Sequence, residues 1–133
     1  MCGIVGIWNH RTEHAVHREE LISMRDTMDH RGPDGSGIWI SPDERIGLGH
    51  RRLSIVDLDE KASQPMACSQ KRVWVTFNGE IYNHLSLRKE LESRGHSFRT
   101  DHSDTEVLIQ GYIAWGIDGL LERIEGMFGF AIW

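Results

Sequence analysis

The sequence predicts a single domain that contains both strands and helices. Its 133 residues are 39% hydrophobic, which is enough for one globular core. Short runs of β-branched and aromatic residues alternate with segments in which apolar residues recur every three or four positions, the patterns of strands and of helices. Tight glycine-containing turns separate these segments. We therefore expect strands and helices that share one core.

Composition and charge argue against several classes of protein. The net charge is -5, and the lysines and arginines are scattered, so neither nucleic acid nor an anionic membrane is the expected partner. Two cysteines do not form a disulfide framework. There is no signal-peptide pattern and no apolar stretch that would span a bilayer. We expect a protein of the reducing cytoplasm, where a free thiol persists.

The amino terminus places a thiol directly before a strand predicted over residues 4–8. Aminopeptidases remove an initiator methionine that precedes a small residue, so we expect the mature chain to begin with the free amine of Cys2. An α-amine with a pKa of about 7.7 to 8.0 can accept the proton of a thiol whose pKa is about 8.5. This pairing activates amino-terminal nucleophiles. A cysteine that stands at position two by chance is the alternative.

A helix is predicted over residues 17–28, after a polar loop. Its apolar face carries Leu21, Met24 and Met28. The helix ends before residues 30–37, which contain three glycines, a proline and an aspartate, and these predict a loop.

Two short strands, 37–40 and 46–48, are predicted to form a hairpin, and residues 58–64 a polar loop. Arg51 and Arg52 follow the second strand. Two adjacent arginines are typically one solvated and one structural residue, but a guanidinium can also hold a carboxylate in two parallel hydrogen bonds. The spacing does not decide between these interpretations.

The strand predicted over residues 73–77 runs into Asn78 and Gly79, and this pair has two interpretations. Asn-Gly is the commonest signal of a two-residue hairpin, which predicts a type I′ turn. The alternative is an oxyanion hole, since an Asn amide and the following Gly N–H can both point at one developing negative charge. A helix over 84–94, capped by Asn83 and stopped by Gly95, and a return strand from Phe98 complete this region.

The last third of the chain predicts a helix and a final strand. The helix begins at Ser103 or Asp104, either of which can cap it, and stops near Gly116. A short helical piece over 120–124 follows. Residues 127–133 are apolar throughout, as in a strand buried on both faces, so the domain looks cut there.

Six motifs, in order and spacing, carry a family resemblance. They are residues 2–4 (CGI), 30–37 (HRGPD followed by SG), 52–66 (RLSIVD leading to QPM), 77–83 (FNGEIYN), 103–107 (SDTEV) and 126–128 (GMF). Over essentially the whole chain they resemble the class II glutamine amidotransferase domain of glutamine-hydrolysing asparagine synthetases. The first and fourth motifs are shared by the wider amidotransferase group, whereas the 30–34 and 52–57 blocks look specific to the asparagine synthetase branch.

The resemblance implies catalytic roles for three residues. Cys2 is the expected nucleophile, which attacks the side-chain amide of L-glutamine and forms a thioester, with its own α-amine as base and then as acid toward the ammonia. Asn78 and Gly79 are the expected oxyanion hole.

The resemblance also implies how the substrate is bound. Arg52 is expected to hold the α-carboxylate, and Asp104, with Glu80 assisting, the α-ammonium. Backbone groups of Leu53 and Ile55 are expected to complete the pocket. A free amino acid carries two opposite charges at one end, so a site for it needs one cation and one anion.

Three further residues receive no chemical role. His30 and His50 are expected to be structural or to orient loops, because the terminal amine already supplies the proton acceptor. Cys68, in a polar loop, is expected to be incidental.

The fold implied by the resemblance is an α+β fold, a four-layer α/β/β/α sandwich of two stacked antiparallel sheets, of the amino-terminal-nucleophile hydrolase type. Residues 1–133 are expected to be an incomplete amidotransferase domain that lacks further strands and the synthetase domain. We expect no metal and no cofactor here, with ATP and magnesium needed only by the absent domain. The expected partners are L-glutamine, a synthetase domain and, as one candidate assembly, a second copy.

Three functions remain open at this point. The first is the ammonia-producing part of an asparagine synthetase-like enzyme. The second is an amidotransferase that delivers ammonia to another acceptor, such as a peptide or a sugar precursor. The third is a non-catalytic fragment that only binds a partner or an amino acid.

Overall fold

The computed structural model describes residues 2–11, 13–53 and 63–133. The strands in these ranges are β1 (Gly3–Trp8), β2 (Gly35–Ile40), β3 (Ile46–Arg52), β4 (Met66–Ala67), β5 (Trp74–Ile81) and β6 (Gly126–Ile132). The helices are α1 (Arg18–Asp26), α2 (His84–Ser93) and α3 (Asp104–Leu121), with a 3₁₀ turn at Asp29–Arg31.

Two antiparallel sheets form from these strands. The first sheet has the order β1-β3-β2, and its register pairs Gly3 with Arg51 and Gly35 with Arg52. The second sheet has the order β4-β5-β6, and its register pairs Asn78 with Gly129. The central strands are therefore β3 and β5, each of which carries predicted site residues.

The helices cover the outer faces of the two sheets. α1 packs on β1 and β3, while α3 packs on β4 and β5 with α2 beside it. α1 comes close at Gly47 of β3, where a Cβ would lie 3.0 Å from Leu21 Cδ2. The layers are α, β, β, α, which confirms the predicted sandwich.

The apolar core lies between the second sheet and its two helices. Its buried side chains include Val75, Phe77 and Ile81 of β5, Leu87 and Leu91 of α2, and Val107, Leu108, Ile109 and Leu120 of α3. β5 is thereby held firmly from one side, since burying such side chains is the main favourable term in folding.

The start of α3 is fixed by a satisfied buried carboxylate. Glu106 is 2% exposed, and its two oxygens accept hydrogen bonds from the backbone amides of Arg99 at 2.8 Å and Thr100 at 2.9 Å. The Ser103 hydroxyl oxygen in turn accepts from the Glu106 amide at 3.4 Å, a capping arrangement. Ser103 is therefore the N-cap, which leaves the neighbouring Asp104 carboxylate for other contacts.

The two sheets stack in a defined register. The Thr76 hydroxyl donates to the carbonyl oxygen of Gly49 at 3.2 Å, and the buried ring of His50 is hydrogen-bonded to the backbone of Phe77. Consecutive residues of β3 thus meet consecutive residues of β5. Continuing the two strands in step brings Asn78 and Gly79 level with Arg51 and Arg52.

An aromatic cluster closes the opposite end of the sandwich. Trp39 of β2 stacks on Trp74 of β5 with ring centroids 4.8 Å apart, and Trp133 lies 4.9 Å from Trp39. Such pairs contribute about 0.5 to 1.5 kcal/mol beyond the area that they bury. Because this end is closed by apolar rings, only the end that carries Cys2 presents the predicted polar site.

Several local predictions were wrong. Of the two interpretations of residues 78–79, the hairpin turn is excluded, because β5 continues through them to Ile81. Phe98 begins no strand; its ring lies 4.2 Å beneath the Arg88 guanidinium and packs on the core. Asn83 is the N-cap residue of α2 as predicted, but its side chain makes no capping bond and instead bonds to the backbone of Arg123 and Glu125, which fixes the approach to β6.

Burial also differs from the predictions. Strand β6 is an edge strand rather than one buried on both faces, and Met127 is 72% exposed. Met24 of α1 points away from the sheet. The helix predicted to stop near Gly116 is interrupted there as expected, because Gly116 has a non-helical φ of 70°, and a second helical piece follows to Leu121 within the same α3.

We expected Cys68 to be incidental because of its loop position, but it takes part in the fold. It is buried against the core after β4, and its Sγ accepts hydrogen bonds from the amides of Arg72 at 3.3 Å and Val73 at 3.4 Å. Burial raises the pKa of this thiol, but the backbone amides outweigh burial, so the net pKa lies below its usual range.

Among the described residues, no helix has both the length and the apolar character needed to cross a membrane.

We predict an acid-dependent loss of stability that originates at His50. Burial, with a smaller effect of the Arg52 charge, lowers the pKa of His50 to about 4 from 6.5, against the opposing Phe77 hydrogen bond. The unfolded chain then binds a proton at higher pH than the folded one, so His50 contributes stability that is present above pH 6.5 and lost towards pH 4. The loss should be about 3 kcal/mol.

The measurement is the free energy of unfolding by denaturant between pH 7 and pH 4.5, for the unsubstituted chain and for His50→Gln. The substituted chain should lose less stability over this range. The same pH dependence in both proteins would contradict the assignment.

Candidate active site

Cys2 lies half-buried at the start of β1 and is held by two contacts. Arg31 Nε donates to the Cys2 carbonyl oxygen at 3.1 Å, and the backbone N–H of Leu53 lies 3.5 Å from the Cys2 Sγ. At the next residue, Gly3, a Cβ would lie 2.9 Å from Met28 Cβ. The backbone beside the thiol is therefore packed closely between the end of α1 and the end of β3.

Arg51 and Arg52 point to opposite faces of the first sheet, because successive residues of a strand alternate. Arg51 faces α1 and forms ion pairs with Asp26, at 3.4 Å, and with Asp29. Arg52 faces the second sheet, where its charge contributes to the lowered pKa of His50. Of the two arginines, Arg51 is thus structural, and Arg52 lies on the face of the predicted site.

The glycine-rich loop before β2 braces the backbone that carries these arginines. A Cβ at Gly32 would lie 2.6 Å from the Arg51 carbonyl oxygen, so only glycine fits there. Pro33 forms a β-bridge with Arg52, and the Asp34 amide donates to the Arg52 carbonyl oxygen at 3.0 Å. The loop therefore fixes the position from which the Arg52 side chain extends.

Asn78 and Gly79 lie within β5, opposite β6. Gly79 has a φ of 153°, and a Cβ there would lie 2.5 Å from the Phe128 Cα. The close approach of β6 thus requires glycine. The side chains of Asn78 and Glu80 share the face of Thr76, which is directed at the first sheet. Asn78 is half-buried and Glu80 is exposed.

Asp104 begins α3, and its carboxylate is tied to the end of β5. Its Oδ2 accepts the backbone N–H of Ile81 at 3.1 Å. Burial raises the pKa of this carboxyl, against the hydrogen bond from Ile81 and the nearby His84. A carboxylate held in a partly buried position is suited to binding a cationic group, which would compensate for its lost solvation.

The structure brings the predicted residues to one end of the sandwich. Cys2 and Leu53 are in contact, and Asp104 is bonded to Ile81, the residue after Glu80. The contacts of Thr76 with Gly49 and of Phe77 with His50, continued in step along both strands, place Asn78 and Gly79 on the side of Arg52. Ile55 and Met1 lie outside the described residues, so the roles predicted for Ile55 and for the α-amine stay predictions. A thiol, amide donors, a cation and an anion at one place suit covalent chemistry on a zwitterionic amino acid.

No group of three or more His, Cys, Asp or Glu side chains that could hold a metal ion occurs among residues 2–11, 13–53 and 63–133.

Two residues that contact the site were missed by sequence reasoning. Arg31 anchors the backbone of Cys2, and Gln64 bonds to the amide of Phe77. Both stand within motifs that carried the family resemblance, at 30–37 and 52–66, but neither residue type indicates such a role from spacing alone.

Comparison with known proteins gives consistent results. The family profile described as a glutamine amidotransferase domain matches residues 1–133. The chain is 45% identical to asparagine synthetase [glutamine-hydrolyzing] 1 of Bacillus subtilis and 42% identical to asparagine synthetase B [glutamine-hydrolyzing] of Escherichia coli. Both matches cover 100% of this chain but only 21% and 23% of the relatives. The chain thus spans about a fifth of their length.

A solved structure shares the fold. Glutamine phosphoribosylpyrophosphate amidotransferase of B. subtilis, complexed with ADP and GMP, superposes with a TM-score of 0.73 over 98% of this chain and 34% of its own, at 22% sequence identity.

Proposed function

Since this chain belongs to the glutamine amidotransferase domain family, we propose that it hydrolyses the side-chain amide of L-glutamine and is the glutaminase part of an asparagine synthetase. The observation that carries the proposal is the thiol of Cys2 against the amide of Leu53, which follows Arg52, in the sheet that stacks on the strand with Asn78 and Gly79. The nucleophilic thiol of Cys2, the guanidinium of Arg52 and the amide donors of Asn78 and Gly79 would then surround the same space.

The proposed reaction has two stages. The Cys2 sulfur attacks the side-chain carbonyl carbon of glutamine while its α-amine, freed by removal of Met1, takes the thiol proton. The resulting oxyanion is stabilised by Asn78 Nδ2 and the Gly79 N–H. Collapse of the tetrahedral intermediate breaks the C–N bond, and the α-ammonium returns the proton to the departing ammonia. Water then hydrolyses the glutamyl thioester and releases glutamate.

Substrate binding uses the two charged groups. Arg52 holds the α-carboxylate, and Asp104, assisted by Glu80, holds the α-ammonium, while backbone groups of Leu53 and Ile55 complete the pocket. These steps need no metal or cofactor. The likeness to asparagine synthetases supports a wider proposal: ammonia passes to a separate synthetase domain, which amidates aspartate with ATP and magnesium. We also propose a cytoplasmic location, where the thiol stays reduced.

The first prediction tests the oxyanion hole. Asn78→Ala should lower the kcat of ammonia release from glutamine by about a hundredfold or more, because one donor to the developing oxyanion is lost. Ammonia and glutamate should be quantified in parallel at saturating glutamine. Asn9→Ala, in the loop after β1, is the matched control. An Asn78→Ala enzyme that keeps its kcat would refute the assignment.

The second prediction tests the ammonium site. Asp104→Asn keeps an oxygen that can accept the Ile81 N–H but removes the charge, so KM for glutamine should rise about ten- to hundredfold with a smaller change in kcat. The exposed Asp101→Asn is the control. In the unsubstituted enzyme KM should also rise as the pH falls through the raised pKa of Asp104, because the neutral carboxyl attracts ammonium weakly. A KM unaffected by Asp104→Asn would remove Asp104 from the site.

A further inference from the structure

The side chain of Gln64 joins the two elements that carry the proposed site. Its Oε1 accepts the backbone N–H of Phe77 at 2.6 Å, and its Nε2 donates to the Thr105 hydroxyl oxygen at 3.3 Å. Phe77 directly precedes Asn78, and Thr105 directly follows Asp104. One carboxamide thus contacts the neighbour of an oxyanion donor and the neighbour of the ammonium-binding carboxylate.

The bond to Phe77 replaces a missing strand contact. β4 pairs only two residues with β5, Met66 with Val75 and Ala67 with Trp74, so it ends before it reaches Phe77. Phe77 is 3% exposed, and its amide points away from β6 towards Gln64. Without Gln64 this buried donor would lose its partner, which is costly in a protein interior.

Gln64 is itself held by the first sheet. A Cβ on Gly37 of β2 would overlap the Gln64 carbonyl oxygen, so only glycine lets the two backbones come into direct contact here. Gln64 therefore touches β2 through its backbone, and β5 and α3 through its side chain. It links three of the four layers at the level of the site.

The backbone of Phe77 has a second partner. The buried His50 ring is hydrogen-bonded to the Phe77 backbone from the first sheet. Phe77 is thus held by Gln64 and His50 together, which sets the position of the next residue, Asn78. Displacements of about 1 Å at a reacting centre can reduce rates by about a hundredfold.

We propose that Gln64 is a positioning residue that holds the oxyanion donors Asn78 and Gly79 at a fixed separation from Asp104. This inference rests on the proposed glutaminase function. The two groups bind opposite ends of one substrate, so their separation determines whether the side-chain carbonyl meets the donors when the ammonium is bound. Gln64 acts through its neighbours and does not touch the substrate.

The test compares three substitutions in the full-length protein. Gln64→Met has similar length but neither hydrogen bond, and it should lower the kcat for glutamine hydrolysis about ten- to hundredfold and raise KM. Thr105→Val removes only the second bond and should raise KM while kcat is retained. Gln64→Glu keeps an acceptor for the Phe77 amide and should recover most of the kcat. Gln70→Met, at an exposed glutamine, is the matched control.

A second readout requires no activity. The hydrogen exchange rate of the Phe77 amide, followed by NMR, should increase in Gln64→Met and stay near that of the unsubstituted protein in Gln64→Glu. If Gln64→Met does not fold, the kcat and KM changes in Thr105→Val and Gln64→Glu decide the question.

The outcomes separate the two proposals. An unsubstituted, folded protein that releases no ammonia from glutamine would contradict the proposed function. A folded Gln64→Met enzyme with unchanged kcat and KM, or an unchanged Phe77 exchange rate, would overturn the role of Gln64 alone. Equal changes in kcat in Thr105→Val and Gln64→Met would also overturn it, since a purely structural defect would affect both alike.

Discussion

The site depends on the register in which the two sheets stack. Only two hydrogen bonds between the facing central strands are needed to define it: the Thr76 hydroxyl to the Gly49 carbonyl and the His50 ring to the Phe77 backbone. A slip of one sheet along the other by one residue, about 3.3 Å, would separate both pairs of partners. Arg52 and Asn78 would then no longer face the same space, although the fold would keep its layers.

Close packing explains two of the glycines near the site, and alternation along β3 explains the two adjacent arginines. Gly32 and Gly79 each stand where a neighbouring backbone leaves no room for a Cβ. Arg51 forms ion pairs with Asp26 of α1 and with Asp29 of the following turn. Arg52 faces the second sheet. Alternation along one strand thus gives Arg51 a structural role and turns Arg52 towards the proposed site, a distinction that the spacing in the sequence left undecided.

Regular periodicity in the sequence predicted most of the helices and strands. The roles of Cys2, Arg52, Asn78 and Asp104 came only from the family motifs and stay predictions. Local signals failed where tertiary contacts overrode them: the pairing with β6 keeps Asn78 and Gly79 extended instead of turned. Gln64 could not be found by periodicity, because its partners lie 13 and 41 residues away.

The central claim is that Cys2 is an amino-terminal nucleophile, and intact-mass spectrometry tests it most directly. The mass of the intact protein is measured before and after incubation with a thiol-alkylating glutamine analogue, with Cys2→Ser as the control. We predict loss of the Met1 mass and a single adduct that peptide mapping assigns to Cys2 and that Cys2→Ser lacks. A retained Met1, an unreactive Cys2, or an adduct on Cys68 instead would contradict the account.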